Sequence, residues 1–163
     1  MEGMPPTVAA DASVTRRTWP TTAILVTVAV LLMLVQGFGA GIEVASFFGD
    51  SASRDNYISA GLACATILPV FAAMIWCGWQ RGSRRGLWLI GGPAAVMALA
   101  GLNLLATTGD SRDPNPSRTP SLSDLFAGPT WLNWGAFVVF AGAAVATHLL
   151  RRRTRHTEKG SAA

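Results

Sequence analysis

Three amide side chains, Gln36, Asn103 and Asn133, fall inside stretches that contain no Asp, Glu, Lys or Arg, and one carboxylate, Glu43, stands at the end of the first such stretch. Amides in an apolar setting have two uses. They can orient a ligand, or they can tie helices together at about 0.6–2 kcal/mol per hydrogen bond. A carboxylate beside them can take a proton or a cation. Glu43 lies two helical turns beyond Gln36 and so on the same face, with Gly39 and Ala40 between them. Measured along helices, Gln36, Cys64, Asn103 and Asn133 all lie in the same half of the layer that the apolar stretches define. The spacing predicts either a shallow polar pocket lined by Gln36, Glu43, Asn103 and Asn133, or the same groups used as interhelical ties. Amides are a milder signal of a site than buried charges, so the balance falls toward ties.

Other reactive constellations are excluded. Cys64 and Cys77 sit on one predicted helix, about 20 Å apart along its axis, beyond disulfide reach, and neither forms a CxxC pair. Both read as small packing residues, with no metal or thiol redox role. His148 and His156 do not supply two haem ligands within the apolar stretches, and no zinc, nucleophile-elbow or P-loop pattern occurs. Asp110, Asp113 and Asn115 lack EF-hand spacing and its turn glycine, and Asn115-Pro116-Ser117 is no glycosylation acceptor because Pro holds the middle position. No cofactor is expected, and an enzymatic role finds no residues to carry it.

The elements that must position these groups are four apolar blocks, about 21–42, 57–79, 87–106 and 129–150. A helix rises about 1.5 Å per residue and a bilayer core is about 30 Å thick, so each block matches one crossing. The basic residues are partitioned. Arg16, Arg17, Arg81, Arg84, Arg85, Arg151, Arg152, Arg153, Arg155 and Lys159 flank one side, whereas Arg54, Arg112 and Arg118 are the only cations on the other. The positive-inside rule then places both termini and the middle link in the cytoplasm. Trp19, Trp76, Trp79 and Trp88 fall at predicted inner ends, and Tyr57, Trp131 and Trp134 at outer ends, where amphipathic rings settle.

The chain therefore reads as an all-α polytopic membrane protein, an antiparallel up-down-up-down bundle of four transmembrane helices with both termini inside. Residues 1–18 read as an irregular cytoplasmic tail, 19–150 as the transmembrane domain and 151–163 as a basic cytoplasmic tail. Arg16-Arg17 before the first block faintly echoes a twin-arginine signal, but the block is longer than a signal core and reads as a retained span. The preference for Arg over Lys, with abundant Ala and Gly, points to a bacterial plasma membrane.

Finer features follow from composition. Glu43–Asn56, with Phe47-Phe48-Gly49-Asp50, is expected along the outer surface. Ser121-Leu122-Ser123-Asp124 has capping-box spacing ahead of Leu125-Phe126, which predicts a short helix on the membrane. Pro69 and Gly91-Gly92-Pro93 are expected to loosen spans two and three. Gly61 with Ala65, Gly91, Ala94, Ala98 and Gly101, and Gly135, Gly142 and Ala146 mark close-packing seams. Arg151, Arg152, Arg153 and Arg155 are placed to contact lipid headgroups. The clustered charge argues against nucleic acid as a partner. The expected partners are lipids and other membrane subunits or further copies of the chain, in a non-catalytic accessory or interaction role. The alternative is a small transporter or ligand-binding protein using the outer pocket.

Overall fold

The computed structural model describes residues 6–45, 52–83, 86–109 and 112–160, with side chains between 20 and 153. The Phe47–Asp50 segment and the side chains of Arg16, Arg17, Trp19, Arg84, Arg85, Arg155, His156 and Lys159 lie outside the described residues. Four long helices make up the fold: α1 (Pro6–Val44), α2 (Arg54–Gln80), α3 (Gly91–Ala106) and α4 (Thr130–Gly160). No strand occurs among the described residues.

Local chemistry sets their ends. α1 begins at Pro6, inside the stretch read as an irregular tail. Proline fits the first helical turn, where its missing N–H is not needed, and the Ala-rich run that follows favours helix. α2 starts at Ser53, whose hydroxyl accepts from the backbone N–H of Asn56, with Asp55 in the first turn against the positive helix end. It runs unbroken through Pro69 and stops where Gly82 takes a left-handed φ of 82° and Ser83 N–H closes back onto Gly78 O. Before α3 the chain makes a 3₁₀ turn, Leu87–Ile90, and Gly91-Gly92 mark the change to α-helix.

All four helices hold a stretch long and apolar enough to cross a membrane: Pro20–Val44, Arg54–Gln80, Leu87–Ala106 (with the 3₁₀ turn) and Thr130–Arg153. They coincide with the four predicted blocks to within a few residues. They are not equivalent. In α2, 67% of the apolar window is buried inside the protein, against 17%, 17% and 11% for the others, so α2 is the central element. α1, α3 and α4 each pack on it, α1 also touches α3, and among the described residues α4 makes no close backbone approach to either α1 or α3.

The arrangement is thus a flattened bundle rather than a square one. Consecutive helices alternate in direction, and α2 and α4, which run parallel, form its closely packed pair. Asn133 meets Ala63 and Thr66 near one end, while His148 meets Gln80 near the other. Those separations match at about 1.5 Å per residue, which fixes the register. The core lies around α2: Ile58, Ile67, Val70, Phe71 and Met74, with Ile90 and Met97 from the third span.

The small-residue seams divide into two kinds. Gly61 and Gly101 face one another, such that a Cβ on Gly101 would stand 3.2 Å from Gly61 O, and α2 and α3 approach closely there. A Cβ added at Gly91, Gly135 or Gly142 would meet nothing. Those positions, and the exposed Ala146, look away from the bundle.

Both ends are tied by polar contacts. At the end holding the α2–α3 link and residues 148–153, the Thr22 hydroxyl bonds to the buried Ser83 hydroxyl, and Gln80 pairs with His148. The opposite end carries the predicted site.

Candidate functional site

α1 turns a narrow face toward the bundle, and Gln36, Ala40 and Glu43 lie on it. Ala40 is buried, and Gly39, expected on the same face, is exposed. From this face Gln36 donates through Nε2 to Asn133 Oδ1 at 2.8 Å. Asn133 is 2% exposed, and its amide donates to Ala63 O and to Thr66 Oγ1, both at 2.9 Å. The Thr66 hydroxyl in turn donates to Leu62 O at 2.7 Å. One amide therefore links three helices, with both N–H groups and its carbonyl engaged. This satisfaction is what makes a buried polar group tolerable in an apolar interior.

Glu43 is half-buried one step further along the face, and its Oε2 is covered with no hydrogen-bond partner among the described residues. The carboxylate lies within electrostatic range of the fully buried Cys64 thiol on α2. Asn103 does not join this group. Its side chain is exposed on α3, and only its backbone carbonyl is engaged, by the Thr107 hydroxyl at 3.0 Å. The reason is angular: Asn103 lies two residues past Gly101, which faces α2, and two residues turn a helix by about 200°. The structure thus brings Gln36 and Asn133 into contact, leaves Glu43 near them, and separates Asn103. Cys64 and Cys77 are both free and buried. No group of three His, Cys, Asp or Glu side chains gathers among the described residues as a metal would need.

A second polar cluster was not read from the sequence. Arg54, in the first turn of α2, is only 8% exposed. Its guanidinium donates to Leu105 O at 2.9 Å and to Thr107 O, carbonyls that the end of α3 leaves open, and to Arg118 O in the following loop at 3.0 Å. Its backbone N–H donates to the Asp113 carboxylate, which also accepts from Asn115 N–H at 2.9 Å. Gly109, at φ 85°, lets the loop pass close, because a Cβ there would sit 2.9 Å from Arg54 N. Asp113, in a loop whose acidic residues lack EF-hand spacing, is built into this clasp.

Arg118 continues it by pairing with Asp55 at 2.8 Å and with Asp124 at 2.9 Å. The Asp124 carboxylate also accepts from Ser121 N–H and Oγ, each at 2.8 Å, which is half of the expected capping box. The backbone and hydroxyl bonds from Ser121, then Arg118, hold the Asp124 carboxyl below the usual range, and the bond that Arg118 donates to Asp124 raises the guanidinium in turn. The helix that the box begins is a single 3₁₀ turn, Asp124–Phe126, shorter than expected because Gly128-Pro129 follows at once. The sequence did carry one signal for Arg54. A cation in the first turn of a helix opposes the helix dipole, which calls for a compensating partner.

At the opposite end Arg151, Arg152 and Arg153 are exposed on α4, with Arg151 reaching toward Gly82. In comparisons with protein families, with characterised proteins and with solved structures, nothing matches this chain.

Proposed function

We propose that this chain is a small integral protein of a bacterial plasma membrane, with both termini cytoplasmic, that acts as a non-catalytic accessory or interaction subunit. Four apolar helices support membrane integration, as do the large side chains they turn outward, among them Leu31, Leu34, Val35, Phe38, Leu99 and Leu102. Exposed Trp76, Trp79 and Trp88 near one end and Trp131 at the other match the two interfaces. The orientation rests on the arginines. Arg81 and Arg151–Arg153 lie at one end, where they contact anionic headgroups at about 1 kcal/mol per cation, and Arg155 follows them in sequence.

The observation that carries the interaction role is the free face of α4. Gly135, Val138, Val139, Gly142, Val145 and Ala146 recur at helical spacing and are exposed. The exposed face of α3 carries Leu99 and Leu102, suited to lipid, and that of α1 sets Gly37, Gly39 and Gly41 among Leu34, Val35, Phe38 and Ile42, whereas this stripe holds nothing larger than valine. It repeats the composition that α2 and α3 use at the Gly61–Gly101 seam. A second helix, from another subunit or another copy, fits there. The test is the particle mass after mild detergent extraction from native membranes. The wild-type chain should migrate in a larger assembly that Gly142→Leu disperses. A monodisperse single chain from wild-type membranes would overturn the reading.

One observation favours a second reading, a small transporter or ligand-binding protein open at the acidic end. Among the described residues Glu43 Oε2 is covered and without a partner, which suits a proton or a small cation. Since the Asn133 donors are engaged, Glu43 carries this reading nearly alone. Glu43→Gln should then abolish pH-dependent binding or uptake, and an unchanged profile would remove it.

A further inference from the structure

We propose that the turn Ser121–Phe126 is a boundary wedge, which seats Leu122 and Phe126 between the headgroups and acyl chains of the leaflet at the acidic end. The inference rests on the membrane reading above and concerns a segment that the reading leaves outside the spans. Leu122 is 80% exposed and Phe126 68%, while Leu125 on the same turn is half-buried against the bundle. The turn is thus two-sided, one leucine facing in and two large apolar groups facing out.

Its depth is fixed by α4. Trp134 donates through Nε1 to Leu125 O at 2.8 Å, and the Phe126 ring stacks on Trp134 with centroids 6.0 Å apart. Trp134 in turn meets Phe137 edge-on at 6.2 Å, so an aromatic run leads from the turn into the span. Trp134 stands four residues past Thr130, about 6 Å along the helix axis. Phe126 is therefore level with the first turns of α4, beside exposed Trp131 and Leu132, rather than raised above them. Aromatic rings at that level belong to the interfacial belt.

The side-chain polar groups of the turn are already engaged. Asp124 accepts from Ser121 and pairs with Arg118, and the Ser121 and Ser123 hydroxyls bond to one another at 2.8 Å. Placing the turn in the boundary layer therefore strips water from few open donors or acceptors. Its fixed shape also means that little ordering is needed on insertion. The occupant that fits is lipid, because the exposed groups continue the aromatic belt of the span itself.

Spin labels at single cysteines test this in phosphatidylcholine–phosphatidylglycerol vesicles. Cys64 and Cys77 are replaced by alanine, and the whole chain carries Leu122→Cys, Phe126→Cys, Ser117→Cys or Leu99→Cys in turn. Power saturation compares collisions with oxygen, which favours the bilayer, and with a water-soluble nickel complex. Labels at 122 and 126 should shift toward oxygen relative to 117 and fall short of 99. Nickel access at 122 and 126 equal to that at 117 would overturn the wedge. So would shielding from both reagents, which marks a protein occupant. Nickel access at 99 would instead sink the membrane reading and the wedge with it.

Discussion

Replacing Asn133 by alanine should loosen three helices at once. The substitution removes the bond from Gln36 and the two donated to Ala63 O and Thr66 Oγ1. Interhelical hydrogen bonds in membranes average about 0.6 kcal/mol and reach about 1.7, so three of them set an expected loss near 2 kcal/mol and a ceiling near 5. The partners fare unequally. The Thr66 hydroxyl keeps its bond to Leu62 O, whereas Gln36 loses the only side-chain partner described for it. A double-mutant cycle therefore separates the terms. Gln36→Ala and Asn133→Ala should couple by about 0.6 kcal/mol, measured by reversible unfolding in mixed micelles with helicity as the readout. Additive losses, with no coupling beyond error, would refute the claim that this amide ties α1 to α4. A large loss of ligand binding with unchanged stability would instead favour the pocket.

The clasp at the acidic end gives a second expectation: Arg54→Ala leaves the Leu105, Thr107 and Arg118 carbonyls without their donor, and should cost about 3 kcal/mol and speed proteolysis between Thr107 and Pro129. Because the Asp124 carboxyl is held below its unfolded range, its contribution is complete above the ordinary carboxylate pKa and is lost as pH falls through the depressed folded value. Stability should accordingly drop on acidification in that window, and Asp124→Asn should flatten that part of the pH profile. Glycines offer a paired test: Gly101→Val forces a side chain against the Gly61 carbonyl and should destabilise the bundle by about 1–3 kcal/mol, while Gly135→Val meets open space and should leave the unfolding midpoint of the isolated chain almost unchanged.

The four helices were legible because a crossing-length apolar run is a strong signal, but the Ser53 cap that starts α2 at Arg54 and the Gly82 turn that ends it were not read from the sequence, which began the second block at Tyr57. Which helix stands at the centre was not legible. Hydropathy is similar among the spans and says nothing of neighbours, although α2 has small residues on several faces, from Ser59 through Cys64 to Ala73 and Gly78, and so admits three partners closely. Depth along the helix correctly grouped Gln36 with Asn133. It failed for Asn103 because depth carries no azimuth, while Gly39, about 60° around the helix from Gln36, falls outside an inner face narrower than the one expected. Arg54 was counted only as a charge. Its work is done by backbone carbonyls of the end of α3 and the following loop, which no side-chain pattern reveals.

On the proposed membrane reading, polar ties matter more than in a soluble bundle of the same size. Where lipid surrounds the helices, apolar side chains gain little by turning inward, so packing contacts and hydrogen bonds decide which helices meet. α3 has the Gly61–Gly101 seam and the Arg54 clasp, and α1 has the Thr22–Ser83 link and a long shared face with α2. Among the described residues α4 packs its backbone on α2 and on the Asp124–Phe126 turn but on neither other long helix, with Asn133 near one end and His148 near the other. Its outer stripe, built of glycine, alanine and valine, holds no side chain larger than valine. A helix fixed at both ends yet open along its small-residue face can take a neighbour without rearranging the other three. That gives a structural reason for assigning association to α4, and for expecting Asn133→Ala to weaken assembly as well as folding.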